Sequence, residues 1–554
     1  MKKNILALAA AVAMLSATAC NKLLDLTPTD SISDKVMWAE VPSAEYAVNS
    51  IYTYLYSIYA TYPCAAGMTE ALTDELKYGS YLYNAMNRIP SEIAYGGSTL
   101  TANYVDVYMG AWDGLYNCVR RTNEALYNLK TLGTGLPEAD KTRLEAELRL
   151  MRGWLYFELI KRYKDVILYD EDLTAIVKDK AVSSEAEGWQ MVKDDLEFAE
   201  NNLPVKADAR GRLDKGAAYA FASRALLYAK DYDGVITAAN EVEKLGYGLE
   251  DDYAGVFSGN GKETILKYCF SESDNVLHSF DYYYTPGGDF ALIDQQGGGY
   301  ATPTQEMVES YELAAGGFPD WTPWHDQTTE EPPYKQLEPR FQATILYNGA
   351  SWKGRTIQPY IDGIDGWAEW KKDAQPQGRT TTGYYLRKGV DENHNLAERD
   401  ASHGTQPAIL LRYGEVLLNK AEACFRSNDP DLAGANAAVR AIRGRVGLPY
   451  TDLSGDELWA AIRQERRVEL AFEGLWYWDL RRWEDAAKPY PTGLNGYQVH
   501  GLRIAPGAVS GKFEYTYVSV DDKDRNFPAK MYRFPMPSSE LSSNALAEQY
   551  AEWK

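Results

Sequence analysis

The chain has 554 residues, of which 45% are apolar and 25% charged. That is ordinary globular composition and excludes wholesale disorder and collagen-like repeats. The formal net charge is -22 at pH 7, and a surface this acidic repels phosphates, which argues against a nucleic-acid partner.

Lys2 and Lys3 precede an apolar stretch from Ile5 to Leu15 and the small residues Ser16-Ala17-Thr18-Ala19, the pattern of a secretory signal peptide over residues 1–19. The stretch is too short to span about 30 Å of hydrocarbon, and no later run of about 20 apolar residues follows, so no transmembrane helix is expected. Cys20, directly after the small residues, resembles the lipobox cysteine of bacterial lipoproteins and is read as the lipidation site, although Ala17 stands where a larger apolar residue is usual. The alternative is plain secretory cleavage near Ala19. More than one acyl chain would give stable anchoring. The remaining cysteines, Cys64, Cys118, Cys269 and Cys424, form no CxxC pair, so neither zinc nor a disulfide scaffold is expected. Cys118 and Cys424 are read as buried free thiols.

Helices in pairs follow. Residues 101–130 read as one long helix with Tyr104, Tyr108, Trp112, Leu115 and Val119 on a stripe. In 138–164, Leu144, Leu148, Met151, Leu155 and Leu159 recur at helical spacing. Residues 184–202 form a third helix, ended before Pro204. Asp214 caps a helix to about Lys230. Asp231-Tyr232-Asp233-Gly234 turns the chain into a second helix from Val235 to Leu245, stopped at Gly246. This hairpin resembles a tetratricopeptide unit. A similar one is read at 408–443, broken at Asp429-Pro430, and a further helix at 455–472. Between 271 and 407 the periodicity fails, Gly and Pro are frequent, and five of the fourteen tryptophans are found. Ordered loops with short strands are expected there.

Seven segments stand in order along the chain: the Cys20 to Pro28 start, Arg121-Thr122-Asn123-Glu124, Glu147 to Phe157, Arg412 to Ala423, Glu465 to Gly474, Trp478 to Trp483, and Phe534 to Leu541. Together they resemble the SusD/RagB family of outer-membrane nutrient-binding lipoproteins. Departures are local: Lys164, Val166-Ile167, Gly474 to Tyr477 without the usual Arg, and Tyr550 after Gln549. The resemblance implies a mainly α fold, a tetratricopeptide-like helix-pair scaffold with a loop-rich region containing short strands packed over it. It divides the mature chain into an N-terminal helical region, 20–270, and a C-terminal region, 271–554, whose loop-rich insertion is 271–407. It also implies a lipid-anchored outer-membrane protein, facing the cell surface, that binds glycan and delivers it to a SusC-like TonB-dependent barrel, and that is neither an enzyme nor a cofactor carrier.

Glu465, Glu469 and Glu473 at i, i+4 and i+8 could suggest a glycosidase carboxylate pair. However, the neighbouring Arg463, Arg466 and Arg467 favour the ionised acids, so helix-to-helix ion pairs are expected. The same reading is given to Asp479 with Arg481 and Arg482. The histidines show no metal-ligand spacing. Gly259 to Glu263 reads as a turn rather than a P-loop, and Asp521 to Asn526 as a solvated turn rather than a calcium loop. Trp112, Trp154, Trp189 and Trp459 lie on helical stripes and are read as core. A pyranose offers an apolar face and a hydroxyl rim, which a flat aromatic with nearby Asn, Asp or Arg can match. Two stretches supply that mix: Tyr78, Tyr81, Tyr83, Asn84, Arg88 and Tyr95 after the first helix, and Tyr282, Tyr283, Tyr284, Tyr300, Trp321, Trp324, Trp367 and Trp370 in the irregular region. The ligand-binding candidates are Tyr81, Tyr83, Asn84, Arg88, Tyr95, Tyr283, Tyr300, Trp321, Trp324 and Trp367. The rival reading is a secreted helical glycoside hydrolase or polysaccharide lyase.

Overall fold

The computed structural model describes residues 34–60, 69–78, 85–175, 178–209, 211–369 and 377–554. The expected signal peptide and Cys20 lie outside them. Ten helices build the scaffold: α1 (Val41–Ala60), α2 (Trp112–Thr131), α3 (Glu138–Tyr163), α4 (Glu185–Asn202), α5 (Lys215–Tyr228), α6 (Tyr232–Lys244), α7 (Tyr413–Arg426), α8 (Leu432–Arg445), α9 (Gly455–Glu469) and α10 (Trp476–Arg482). Neighbours pack in order, α2 on α3, α3 on α4, α4 on α5 and α5 on α6. The stack then skips the loop-rich region, because α6 packs on α7, and α7 on α8 and α9. The chain thus leaves the stack after Lys244 and rejoins it at Tyr413.

The middle helix α3 is buried on almost every side. Leu144, Leu148, Met151, Leu155 and Leu159 are all within 2% of full burial, as their spacing requires. Trp154 stacks on Phe221 of α5 at 4.1 Å between ring centroids, and Phe157 meets the same ring edge-on at 5.4 Å. Two turns repeat the same chemistry. Asp231 accepts from the Gly234 amide and Asp431 from the Gly434 amide, with backbone angles within a few degrees of each other. Each aspartate caps the second helix of a pair, and that repeat marks α5–α6 and α7–α8 as equivalent units. Asp214 caps α5 through the Ala217 amide. Ser184 and Glu187 form a reciprocal capping box on α4.

Five expectations are corrected. The helix read over 101–130 is two, Ala102–Met109 and α2, interrupted at Gly110 and Ala111. The Tyr163 hydroxyl accepts from the Ala111 and Trp112 amides at 2.9 and 3.2 Å and so caps the restart. As a consequence Val105 and Met109, rather than Tyr104 and Tyr108, are buried. Tyr163→Phe should therefore cost about 1–2 kcal/mol in urea unfolding, because it orphans two amides. Residues 408–412 are strand, not helix, and the last expected helix ends at Glu469, where Phe472 takes φ 62°. Trp459 is only partly buried, stacked on Phe425 with Arg426 over its ring. Cys118 is half-buried, whereas Cys424 is buried.

Short strands carry the rest: β1 (Leu76–Tyr78), β2 (Thr264–Tyr268), β3 (Ala301–Pro303), β4 (Gln327–Thr328), β5 (Ala408–Arg412), β6 (His500–Pro506) and β7 (Phe513–Ser519). All named pairs are antiparallel: β1 with β3, β2 with β5, and a sheet in the order β6, β7, β4. A second apolar cluster, including Tyr311, Tyr334, Phe341, Trp352 and Tyr384, gives the loop-rich region its own core.

A buried ion network joins this region to the scaffold. Arg412, 1% exposed, reaches Glu263, Glu469 and Glu473 at 2.6–2.8 Å. Arg340 from the loop-rich region holds Glu338, Glu465 and Glu469, and Arg443 bridges Glu312 and Glu465. Glu465, Glu469 and Glu473 are thus ion-paired, but with Arg340, Arg412, Arg443, Arg445 and Lys388 rather than with their neighbouring arginines. Arg463, Arg466 and Arg467 turn to Asp485, Asp479 and Asp74. Asp479 pairs with Arg466 and Arg482, whereas Arg481 lies over Trp478 and Phe534. Among the described residues no helix is long and apolar enough to cross a membrane.

Candidate functional site

The pairing of β1 with β3 sets Tyr78 opposite Ala301. It thereby brings the stretch after α1 beside Tyr300, although the two are more than two hundred residues apart. The Tyr78 and Tyr284 hydroxyls share a hydrogen bond of 2.8 Å. Around them Tyr283 meets Tyr300 at 5.0 Å and Tyr282 at 5.3 Å, both edge-on. The three glycines at 297–299 make this packing feasible. A Cβ on Gly298, at φ 73°, would run into the Thr285 carbonyl. Tyr282 and Tyr283 stay partly exposed.

A second aromatic surface is built by Trp321 and Trp324, edge-on at 5.6 Å. Trp321 is buried and Trp324 half-buried, held by its indole N–H donating to the Glu330 carbonyl at 3.0 Å. Tyr517 of β7 lies between two imidazoles, that of His325, the residue after Trp324, at 4.7 Å and that of His500 at 4.2 Å, the latter nearly parallel. Each imidazole is tied to a carboxylate of the Gln305–Glu309 turn of helix, His325 to Glu309 at 2.8 Å and His500 to Glu306 at 2.6 Å. Burial pushes the Glu309 carboxyl up, and its bonds from His325 and Gln305 oppose that only in part. The result is a ridge of rings, His325–Tyr517–His500, held by two carboxylates, with Trp324 the residue before His325.

Of the residues expected in a site, Tyr283 and Tyr300 come together, and so do Trp321 and Trp324. Tyr81, Tyr83 and Asn84 lie outside the described residues, as does Trp370. Arg88 falls in the helix Ala85–Tyr95, its side chain outside them. Tyr95 is 4% exposed and donates to Asp521 at 3.2 Å. It belongs to a buried network in which Asp521 also holds Lys77 and Arg525 at 2.6 and 2.7 Å. The solvated turn expected at 521–526 is thus corrected at Asp521, an interior anchor. Burial brings Lys77 down to about 8 despite that partner. Trp367 is 7% exposed and its backbone bridges to Thr380. His325, His500, Tyr517, Glu306 and Glu309 carry no motif in the sequence. Tyr515 and Tyr517 alternate as a strand should, a weak local signal. Among the described residues no cluster of His, Cys, Asp and Glu could hold a metal ion.

The architecture is that of a helical-repeat protein with an ordered, aromatic-rich loop region laid over the repeats. The model of the SusD family matches residues 262–553, and a model described as starch-binding associating with outer membrane matches residues 24–227. The first spans more than half of the chain, and the chain belongs to the SusD family. A SusD-like protein of Bacteroides ovatus is 23% identical over 494 residues, covering 87% of this chain and 83% of its own. The crystal structure of a SusD-like protein from Bacteroides fragilis superposes with a TM-score of 0.74 at 28% identity, covering 95% of this chain and 99% of that one. A laminarin binding SusD-like protein shares the fold, with a TM-score of 0.65 at 20% identity over 92% of this chain and 99% of that one.

Proposed function

We propose that this protein binds glycan at its aromatic loop surface and passes it to a SusC-like TonB-dependent barrel, from a lipid anchor on Cys20 in the outer membrane. The observation that carries the binding role is the half-buried Trp324, edge-on to Trp321 and next in the chain to His325, whose ring meets Tyr517. A pyranose laid on such a face loses water from its C–H side while imidazole and carboxylate groups meet its hydroxyls. Rigid aromatics lose little conformational entropy on binding. Family membership supports the transport role, and a fold relative carries the words laminarin binding in its name. The acids on α9 are consumed by arginines, which removes them as a hydrolytic pair.

A glycan panel against residues 21–554, read by calorimetry with a parallel assay for released sugar, tests this. Binding in the micromolar to millimolar range is expected, about -8 to -4 kcal/mol, without product. Trp324→Ala should weaken it roughly 10–100-fold, the equivalent of one aromatic face, with the unfolding midpoint unchanged. Product release would move the assignment to a glycoside hydrolase or lyase. Binding untouched by Trp324→Ala would move the site to the partly exposed Tyr282 and Tyr283.

A further inference from the structure

A cleft of about 480 Å³ opens at the seam between the scaffold and the loop-rich region. Its walls come from residues 251–257 after α6, the helix Pro339–Thr344, the turn 387–392 and the end of α8. It shares no residue with the Trp324 surface or with the tyrosines at 282–300. Its volume falls in the range of small-molecule sites, roughly 300–1,000 Å³. The buried part of the lining is fixed. Tyr253 is 3% exposed and meets the half-buried Phe257 edge-on at 5.3 Å. Lys388 donates to the Tyr253 hydroxyl at 2.9 Å, and the Arg445 guanidinium lies over the Tyr253 ring at 4.9 Å. Both cations are met by carboxylates, Lys388 by Glu473 and Arg445 by Glu263 and Glu469. The accessible part carries groups of both signs. Arg387 and Glu392 form a two-bond fork at 2.7 and 3.1 Å, with side chains 28% and 39% exposed. A third Arg387 N–H reaches the Gln342 carbonyl at 3.1 Å. A guanidinium has five such donors, so two are left for a ligand. Asp252 is exposed on the same wall.

This lining selects against ions. An anion placed here meets Glu392 and Asp252, a cation meets Arg387, and neither finds an uncompensated partner in Lys388 or Arg445. A neutral polyol suits it. A hydroxyl accepts from a guanidinium and donates to a carboxylate, while Phe257 and Val390 offer apolar surface to a C–H face. We infer that the cleft is a second saccharide site, separate from the aromatic surface, that takes one or two neutral sugar rings. The inference takes its class of ligand from the glycan-binding reading and its place from the cleft alone. Because the walls come from both regions, a bound sugar ties the loop-rich region to the scaffold and stabilises the fold by linkage.

Calorimetry and thermal melts on the Trp324→Ala protein, in which the aromatic surface is disabled, test it. The probes are maltose, cellobiose and laminaribiose, with glucuronic acid and glucosamine as charged counterparts. At least one neutral disaccharide should bind with a Kd of about 1 mM. At ten times that concentration it should raise Tm by about 1 °C. The charged sugars should bind at least tenfold more weakly. Adding Ala254→Trp, at an exposed alanine of the cleft wall, should fill the cleft and weaken binding at least tenfold without moving the ligand-free Tm. Adding Arg387→Gln instead should weaken it several-fold. No neutral disaccharide bound by the Trp324→Ala protein, binding that Ala254→Trp leaves intact, or charged sugars bound as tightly as neutral ones would overturn the inference. Glycan binding by the single Ala254→Trp variant, lost on Trp324→Ala, reports on the aromatic surface alone, so the two sites stand or fall separately.

Discussion

Replacing Arg412 with alanine is expected to lower the unfolding free energy by about 3–5 kcal/mol, the effect of breaking a buried ion pair from one side. Arg412 ends β5, at the point where the chain rejoins the helix stack. Its guanidinium touches Glu263 before the loop-rich region, Glu469 at the end of α9 and Glu473 just beyond it, and it donates to the Glu469 carbonyl at 2.8 Å. Glu263 and Glu469 are fully buried. Without Arg412 these carboxylates would sit in the interior with Arg340, Arg445 and Lys388 left to share between them. Arg412→Lys should be only partly protective, because an ammonium cannot reproduce the fork that serves three acids. Guanidinium unfolding of both variants checks this. A change under about 1 kcal/mol for Arg412→Ala would mean that apolar packing alone seats the loop region on the scaffold.

The second large effect is acid lability. Burial tends to raise the Glu158 carboxyl, but Lys161 and Arg162 outweigh it and bring it down to about 2. Glu422 and Glu473 are lowered in the same way by their arginines, and Glu469 and Asp521 are held further below the usual carboxylate range. For each, the unfolded chain takes up a proton at a higher pH than the native one. Their stabilisation is therefore complete above about 4.5, the ordinary Glu value, and is lost as pH falls toward 2. A carboxyl brought from 4.5 to about 2 alone contributes on the order of 3 kcal/mol at neutral pH. Glu338, which burial pushes up to about 7 although Arg340 opposes it, works the other way. Its native form keeps a proton that the unfolded form has lost, so its contribution declines as pH rises from 4.5 to 7. Calorimetric melting should show a Tm that climbs steeply from pH 2 to about 4.5 and then levels. A flat Tm across pH 2–5 would contradict the ion network.

Local spacing made the helices legible. The apolar repeat from Leu144 to Leu159 and the caps at Asp214 and Asp231 concern residues within one or two turns of each other, where helix geometry alone decides who is a neighbour. The break at Gly110 was not legible, because the group that restarts the helix is the hydroxyl of Tyr163, fifty-one residues away. The strand at 408–412 was hidden for the same reason, since its partner is β2.

The site divides along the same line. Trp321 and Trp324, three residues apart, could be read as a pair, as could the aromatic character of 282–300. That Tyr517 and His500 complete the ridge follows from β6, β7 and β4 pairing in one sheet. That Tyr95 and Asp521 are interior follows from the closure of β1 against the C-terminal loop. The sequence by itself determined the helix-pair scaffold, the family and the acidic, aromatic-rich character of the surface. Tertiary structure alone decided which arginine meets which glutamate and which aromatics remain exposed. Those outcomes depend on chain segments hundreds of residues apart burying their apolar faces together, and no spacing within a single element encodes that choice.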